Sequence, residues 1–414
     1  MDGFADALSF LRDPTTSAAM RNLQPDVRLT FCHDIALTAQ SLGDRQTLRT
    51  ALDEYGRAFA AWKDTLPGKR VVVRCPYIFN RIGEMAANLG ALARLKRLGW
   101  LDLDPVLLCD LGTCNAAYLE HWKQHFEIFT DEDELRKVHG DLPRLRPAFL
   151  PVDGKFQMLN DAFAAAFRAE EGKPLLIPNR THGHEMLVSL GLPRHAWFAC
   201  LHTRSPAYLQ EADDAHNNHR NSDVRTFEKA ALAIAERGGW TVRIGSENTE
   251  PLMGWPNTID LPHLVPFTDW LDVYVMGACR FFLGDGSGPQ MVAAIFDRPL
   301  AIANIELGYS PIANHSLHAP KLFRKDGRLL TITEATELGL LQLQHSGLLA
   351  EKGVEVVDNE PEDIEAMVGE VMSRKWPIEW EHQYSYRGAF PQEIARAISL
   401  ASPAFLQKHE DLWR

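Results

Sequence analysis

Short apolar runs alternate with longer amphipathic segments over much of this 414-residue chain. Lys69 to Cys75 and Pro105 to Cys109 are apolar runs typical of buried parallel strands, and Glu84 to Leu98 between them has helical spacing. A strand, a helix and a second strand within about forty residues form a βαβ unit. The pattern therefore predicts an α/β domain of the Rossmann-like type.

A second series of the same kind follows from about residue 197. Strands alternate with helices, and this alternation predicts another parallel sheet covered by helices on both faces. The predicted strands are Trp197–Arg204, Trp240–Gly245, Asn257–Leu261, Phe281–Gly284 and Leu300–Asn304, and the helices between and beside them are Ser222–Arg237, Phe267–Ala278 and Pro289–Phe296. Leu175 to Pro178 is a further strand candidate, and about Pro391 to Leu400 a further helix.

The first 68 residues carry apolar positions at helical spacing, among them Leu48, Leu52 and Trp62. They predict an N-terminal helical segment, which we interpret as a cap on the first domain; the alternative is a partner-binding arm. The predicted organisation is a helical segment at 1–68, a Rossmann-like domain at 69–190 and a second Rossmann-like domain at 191–414.

Composition and charge narrow the classes of function. The chain has 43 Lys and Arg against 55 Asp and Glu, a net charge of −12, and this disfavours a general nucleic-acid binder.

No apolar run approaches the ~18 residues of a membrane helix, and the acidic start does not resemble a signal peptide, so we expect a cytoplasmic protein. Leu89 to Trp100 is basic and amphipathic, which leaves peripheral membrane contact as an alternative to ordinary packing. The six cysteines show no CxxC spacing and are expected to be reduced thiols.

A glycine-rich turn after the predicted strand at 281–284 is the first candidate for ligand binding. The turn contains Asp285, Gly286, Ser287 and Gly288 and leads into a helix. Backbone N–H groups at a helix N-terminus bind anions, and a diphosphate fits that chemistry; the alternative is that the glycines only permit a tight turn. The third glycine of the dinucleotide fingerprint is missing, which disfavours a dehydrogenase, and no phosphate-binding-loop motif occurs.

Other candidates follow the neighbouring strands. His202 and Arg204 are two residues apart at a strand end, so their side chains point the same way, and arginine is a natural bidentate partner of phosphate. Arg243 lies inside an apolar strand that ends at Gly245, and needs either a phosphate or a protein carboxylate as its partner. The polar loop before residue 222 adds Arg220 and Asn221.

In the first domain, the loop after the first strand contains Asn80 and Arg81, and Glu84 follows in the first turn of the next helix. Glu84 either interacts favourably with the helix dipole or serves as a general base.

Six segments carry a resemblance to a known family: Asn80–Leu92, Trp197–Leu209, His219–Val224, Gly238–Ser246, Phe281–Asn304 and Ser402–Leu412. They resemble a bacterial family of predicted GT-B glycosyltransferases of polysaccharide biosynthesis, distantly similar to the O-fucosyltransferase-like group. Two details differ from the family pattern: the position of Glu84 is more often histidine there, and Ser205 stands where the fucosyltransferase-like group has a second basic residue, so no GDP-fucose donor is inferred.

The resemblance implies two Rossmann-like domains facing across a cleft. The second would hold a nucleoside-diphosphate sugar through Arg204, Arg243 and the turn at 286–288, and the first would present a hydroxyl acceptor to Glu84. Neither a metal nor a resident cofactor is expected, because the helix N-terminus and the arginines stabilise the departing diphosphate. Two alternatives remain: an epimerase or hydrolase of GT-B-like fold that acts on the nucleotide sugar itself, and a non-catalytic protein that binds nucleotide sugars or partners.

Overall fold

A computed structural model describes most of the chain. The described residues are 23, 25–41, 44–63, 65–74, 76–101, 103–145, 149–152, 155–158, 165–170, 172–178, 180–204, 217–246, 249–266, 268–309, 316–341, 343, 345–373, 380–391 and 399–413. They form two compact units, residues 1–171 and 172–414, and each has its own parallel sheet.

Unit 1 has a four-stranded parallel sheet in the order β3-β2-β1-β4. Its strands are apolar where they are buried, as in β1, where Val71, Val72 and Val73 are at most 1% exposed. A separate antiparallel pair, β5 and β6, follows along the chain. The strands are β1 (Arg70–Arg74), β2 (Asp104–Leu108), β3 (Glu127–Phe129), β4 (Arg144–Leu145), β5 (Phe149–Val152) and β6 (Lys155–Met158).

Among the described residues of unit 1, helices α1 and α2 form a packed pair inside the segment that was predicted to be helical. A 3₁₀ turn at Pro67–Lys69 then leads into β1. Helix α4 is the crossover between β1 and β2 and buries an apolar stripe that includes Met85, Leu89 and Leu92. The helices are α1 (Pro25–Ser41), α2 (Arg45–Lys63), α3 (Pro76–Phe79), α4 (Ile82–Arg97), α5 (Ala116–Trp122) and α6 (Glu132–His139).

Unit 2 has a six-stranded sheet, in which every pairing is parallel, in the order β12-β11-β10-β7-β8-β9. The chain starts in the middle, runs outward to β9, returns to β10 beside β7 and runs outward again. This is the doubly wound order, which places a topological switch point between β7 and β10. The strands are β7 (Phe198–His202), β8 (Trp240–Arg243), β9 (Thr258–Asp260), β10 (Phe282–Gly284), β11 (Leu300–Ile305) and β12 (Leu317–Pro320).

A small antiparallel sheet, in the order β14-β13-β15, adjoins the main sheet of unit 2. The C-terminal segment returns to the edge of the main sheet, where Ala401 forms a parallel bridge with His318. The small strands are β13 (Leu322–Lys325), β14 (Arg328–Leu329) and β15 (Glu355–Val357).

The helices of unit 2 contribute to a large apolar core, which includes Phe227, Phe281 and Tyr386. Helix α7 precedes the sheet and packs so closely on α10 that a Cβ at Gly183 would lie 2.2 Å from the Tyr274 ring. This packing places α7 in unit 2, although the sequence-based division put these residues in the first domain. The helices are α7 (Arg180–Ser189), α8 (Glu228–Glu236), α9 (Leu261–Leu264), α10 (Asp269–Ala278), α11 (Gly288–Ile295), α12 (Ile332–Glu337), α13 (Ser346–Glu351), α14 (Pro361–Ser373), α15 (Trp380–Gly388) and α16 (Pro403–Lys408).

The predicted fold class, α/β with two Rossmann-like sheets, is confirmed, and three local predictions are corrected. Leu175 to Pro178 forms no strand; it is an irregular segment whose Leu175 amide donates to the carbonyl of Ile295 at 3.1 Å. The helix predicted from Ser222 begins with a 3₁₀ turn, Val224–Phe227, because the Asp223 side chain caps it. Thr258–Asp260 is shorter than the predicted strand.

Most of the helix predicted near residues 391–400 lies outside the described residues. Of the six cysteines, Cys32, Cys109, Cys114, Cys200 and Cys279 are free thiols, and Cys75 lies outside the described residues.

Candidate functional site

The candidate donor site lies in unit 2 at the carboxyl edge of its sheet, beside the switch point. Strand β7 ends at His202 and β10 ends at Gly284, and the register pairs these two residues directly. Parallel sheets of this type bind ligands where the loops after such strands separate. We call the residues that follow β7, β8, β10 and β11 at this edge the donor edge.

Gly284 makes the two central strands meet closely. A Cβ at this position would lie 2.2 Å from the carbonyl oxygen of His202, well inside van der Waals contact. Only glycine permits this approach, so the glycine that ends β10 is required for packing. The turn after it is thereby held directly against the loop after β7.

Asp285 fastens that turn to the β7 loop. Its side chain is fully buried, and Oδ2 accepts a hydrogen bond of 2.6 Å from the backbone N–H of Arg204. Burial raises the pKa of Asp285, while this hydrogen bond, the nearby hydroxyls of Ser287 and Ser222 and the charge of Lys321 act in the opposite direction. Asp285 was predicted to contact the donor, and in this structure its carboxylate positions the chain that carries Arg204.

Ser287 stands at the N-terminus of α11 with extended backbone, and its side chain makes no capping bond to the helix. Its hydroxyl contacts Nδ1 of His202 at 3.0 Å. Pro289 follows in the first turn, where a missing N–H costs no helix hydrogen bond. The first turn of α11 therefore has no side-chain acceptor at its N-cap, and this end of the helix has the partial positive charge that attracts an anion.

His202 is neutral at ordinary pH. Burial, together with the charges of Arg243 and Arg204, lowers its pKa to about 4. A neutral imidazole beside Ser287 exchanges hydrogen bonds with a hydroxyl or an oxygen without bringing a positive charge of its own. His202 and Ser287, which lie 85 residues apart, were predicted as separate ligand candidates, and the structure brings them together.

Arg220 also reaches the glycine turn. Its Nη2 donates to the carbonyl oxygen of Gly286 at 3.1 Å, and its Nε lies 3.1 Å from Oε2 of Glu306. Glu306 directly follows β11, and its other oxygen lies 3.4 Å from Nε2 of His219. Arg220 thus connects the glycine turn to Glu306, because it hydrogen-bonds to Gly286 and forms an ion pair with the Glu306 carboxylate.

Burial opposes the ionisation of Glu306, but its hydrogen bond with His219 and the charges of Arg220 and Arg204 give it a pKa below the ordinary value. Sequence reasoning missed this carboxylate, although its position immediately after an apolar strand at the same edge was an available signal.

Asn221 contributes through its backbone. Its carbonyl accepts a hydrogen bond of 2.6 Å from Nζ of Lys321, which is 4% exposed and also pairs with Asp358 at 2.7 Å. Lys321 follows β12, so it too belongs to the carboxyl side of the sheet. No sequence pattern indicated this contact, because 100 residues separate the donor from the acceptor.

Arg243 has a protein partner, one of the two alternatives expected for it. Its Nη1 donates to the carbonyl of Glu250 at 2.6 Å and lies 3.5 Å from Oδ1 of Asp260 on the next strand. Burial lowers its pKa, and the charges of Asp260 and Glu250 act against this shift. Arg243 is thus bonded within the protein and contributes a positive charge to the His202 environment.

Gly245, which follows β8, adopts a φ of +131°, in the region that favours glycine. It lies beside His202, since a Cβ here would be 3.6 Å from the imidazole Cδ2.

Asp272 on α10 accepts a hydrogen bond from the Gly245 backbone, and burial, with the charge of Asp269, raises the pKa of Asp272 to about 7. Sequence reasoning did not single out Asp272.

The predicted acceptor-side residues Asn80, Arg81 and Glu84 lie in unit 1, and all three are exposed. Glu84 occupies the first turn of α4, where its Oε2 accepts a hydrogen bond of 3.3 Å from Asn88. Arg81 is the N-cap residue of this helix and makes no side-chain capping bond. Unlike the buried Asp285, these three side chains are exposed to solvent.

Across the described ranges, no group of three or more His, Cys, Asp or Glu residues is placed to hold a metal ion. Among the same residues, no helix is both long and apolar enough to span a membrane.

No protein-family model and no curated protein matches the chain. Among solved structures it is similar to a glycosyl transferase family 9 protein from Veillonella parvula DSM 2008, at 12% identity over 75% of this chain and 99% of that one, with a TM-score of 0.45. It is also similar to the E. coli ADP-heptose lps heptosyltransferase II, at 14% identity over 68% of this chain and 99% of that one, with a TM-score of 0.40. A third is the iron-containing dodecameric glycosyltransferase TibC from enterotoxigenic E. coli, at 13% identity over 64% and 65%, with a TM-score of 0.36.

Proposed function

We propose that this chain is a glycosyltransferase of the GT-B type, which moves a sugar from a nucleoside-diphosphate sugar to a hydroxyl acceptor. The observation that supports it most is the N-terminus of α11 at the donor edge. Its N-cap hydroxyl is directed to His202 instead of the helix, and Arg204 lies close enough for its charge to act on both His202 and Glu306. This combination suits the oxygens of a diphosphate.

In the proposed reaction, the acceptor oxygen attacks the anomeric carbon while the bond from that carbon to the diphosphate oxygen breaks. Negative charge then grows on the departing diphosphate. The helix N-terminus, the Ser287 hydroxyl and the Arg204 guanidinium stabilise that charge, and the buried Asp285 fixes the Arg204 backbone in advance. These groups are in place before the donor binds, so little reorganisation is needed during the reaction.

Glu84 is the proposed base that takes the proton of the acceptor hydroxyl. It is an exposed carboxylate at the N-terminus of α4, so it is accessible to an acceptor. We further propose that the transfer needs no metal, and that the acceptor is a saccharide, a lipid-linked saccharide or a protein in surface-glycan synthesis inside the cell. The resemblance to polysaccharide-biosynthesis enzymes supports that choice of acceptor.

A thermal-shift screen of ADP, GDP, UDP, CDP and their sugar conjugates tests the donor site, with EDTA present. A ligand at 100 times its Kd adds about 2.7 kcal/mol to the free energy of unfolding, which moves the melting temperature measurably. We expect one base to stabilise the protein and Arg204→Gln to remove most of that shift. Arg237→Gln is the matched control, because Arg237 is an exposed arginine next to the opposite edge of the same sheet, just before β8.

Stabilisation that Arg204→Gln and Arg237→Gln leave equally intact would contradict the proposed site. With the bound nucleotide sugar identified, product analysis separates transfer from its alternatives. Conversion of the donor at full rate without any acceptor would assign an epimerase or hydrolase, and binding without turnover of any kind would assign a non-catalytic protein.

A further inference from the structure

A cavity of about 360 Å³ lies in unit 1, within the size range of small-molecule sites. It is open to solvent on one side and is lined by α1, the sheet, α6 and the loop from Gly140 to Pro143 that leads into β4. None of its lining residues belongs to the loop of Asn80, Arg81 and Glu84, so it is separate from the proposed acceptor position. Neither the donor edge nor the proposed reaction uses it.

The floor of the cavity is apolar. Val72 of β1, Leu108 of β2 and Leu135 of α6 line it, and each is at most 2% exposed. Leu142 packs against the same group from the loop. Since these side chains belong to strands and a helix that form the core, the floor is rigid and suits an apolar body.

The rim of the cavity carries two arginines that share one carboxylate oxygen. Nη2 of Arg136 lies 2.7 Å from Oε1 of Glu132, and Nη2 of Arg144 bonds to that same oxygen. Asp141 also lines the cavity; its Oδ1 lies 3.6 Å from Nε of Arg136, and its side chain is 93% exposed to solvent. Both guanidinium groups belong to residues that line the cavity, whereas Glu132 does not.

This sharing leaves donor capacity for a further anion. Each guanidinium has five N–H donors, and a carboxylate normally takes two from one arginine in a bidentate pair. Here the hydrogen bond from Arg144 and the charges of Arg144, Arg136 and Arg74 lower the pKa of Glu132, which shows how positive its surroundings are. The anionic group of a ligand at the rim would contact the two arginines, and the apolar part of the same ligand would contact the leucines and Val72.

We propose that this cavity binds a small organic anion with an apolar body, with its anionic head on Arg136 and Arg144. Alkyl carboxylates and the anionic heads of lipids share this chemistry. The proposal does not depend on the glycosyltransferase function.

Isothermal titration of the full chain with decanoate, and with uncharged decan-1-ol, tests the proposal. Decanoate is expected to bind about tenfold more tightly, because only it has a charge for the arginines. Arg144→Gln is expected to remove that difference, and Arg136→Gln serves as a second test if the first variant does not fold. Arg49→Gln, at an exposed arginine of α2 outside the cavity lining, should leave both affinities unchanged.

Leu142→Trp fills the cavity without altering a charge. It should weaken the binding of both decanoate and decan-1-ol, with circular dichroism confirming the fold.

Sedimentation with phosphatidylglycerol vesicles distinguishes the two sources of the anion. Co-sedimentation that is lost in Arg144→Gln assigns a membrane lipid, and decanoate binding without co-sedimentation assigns a free anion. The proposal is overturned if folded wild-type protein binds neither probe, or if binding is unaffected by both the arginine variants and Leu142→Trp.

Discussion

The two regions to which we assign donor and acceptor roles are built differently. At the donor edge of unit 2, Asp285 and Ser287 are buried and bonded to residues more than 80 positions away in the sequence. In unit 1, Asn80, Arg81 and Glu84 are exposed, and Glu84 accepts a hydrogen bond from Asn88, one turn further along the same helix. The donor edge is therefore organised by the fold itself, whereas the acceptor-side loop depends on local structure.

This difference agrees with the roles that we propose for the two regions, donor binding in unit 2 and proton transfer from the acceptor in unit 1. A diphosphate with fixed geometry is best met by groups whose positions are set before it binds, since little ordering is then required on binding. An acceptor hydroxyl needs only a base within reach. Substitutions at the donor edge should therefore change stability and binding together, and substitutions in the acceptor-side loop should change turnover alone.

Gly284→Ala is expected to have the largest effect on stability. Its Cβ would lie 2.2 Å from the His202 carbonyl oxygen, so β7 and β10 would have to separate, at a cost of about 3 kcal/mol in the free energy of unfolding. Urea denaturation measures this. Gly369→Ala is the control, since nothing lies within 4 Å of its Cβ in helix α14, and it should stabilise the protein by about 0.5–1 kcal/mol. Equal effects would show that the two strands do not approach so closely.

Protonation of His202 should make the free energy of unfolding depend on pH. Its pKa of about 4 in the folded protein lies below the ordinary 6.5, so the unfolded chain binds the proton more readily, and stability falls as the pH drops from about 6.5 to about 4. The loss is on the order of 1.4 kcal/mol per pH unit within this window. The pKa of Asp272 is raised in the folded protein, so its protonation stabilises the fold as the pH falls. The pH profile of the wild-type protein therefore contains the opposing contributions of His202 and Asp272.

The difference in free energy of unfolding between wild type and His202→Asn isolates the histidine, since asparagine keeps a polar group near Ser287. We expect the wild type to lose stability relative to the variant as the pH falls from 6.5 to 4. A difference that stays constant over this range would show that His202 is not held neutral.

Asp285→Ala should cost about 2 kcal/mol, because the buried N–H of Arg204 loses its acceptor. The same variant should weaken nucleoside-diphosphate binding through the displaced Arg204. Asp285→Asn keeps an acceptor oxygen and should recover most of both losses. If Asp285→Ala were as stable as wild type, the carboxylate would not be fastening the turn to the β7 loop.

Glu84→Gln is expected to have the smallest effect on stability, within about 0.5 kcal/mol, because the side chain is exposed. It should leave the Kd for the nucleoside diphosphate unchanged and lower the turnover number by at least about a hundredfold. Steady-state kinetics with the identified donor and acceptor measures this. Unchanged turnover would remove Glu84 from the reaction.

The sequence was sufficient for the parts that depend on local patterns. Apolar runs predicted β1, β2, β7, β8, β10 and β11, and the glycine-rich turn before α11 was recognised from its own residues. Helix starts were less well predicted: Asp223, one residue after the expected Ser222, caps the turn that begins there, because both residue types are good caps.

Long-range contacts could not be read from the sequence in the same way. Lys321 bonds to Asn221 and Glu306 to Arg220 only because β11 and β12 end at the same sheet edge as β7 and β10. Arg243 was recognised as needing a partner, but its own sequence pattern did not distinguish a phosphate from Asp260. The sequence thus identified residues of the donor edge without showing which of them bind a ligand and which position their neighbours.

The most direct test of the central claim, that the donor edge binds a diphosphate, is a calorimetric comparison of one nucleoside diphosphate with its parent nucleoside. We predict that the diphosphate binds at least about tenfold more tightly to wild type, and that Arg204→Gln reduces this preference while Arg237→Gln preserves it. Equal affinity for the diphosphate and the nucleoside, or a preference that persists in Arg204→Gln, would contradict the assignment of this edge as the donor site.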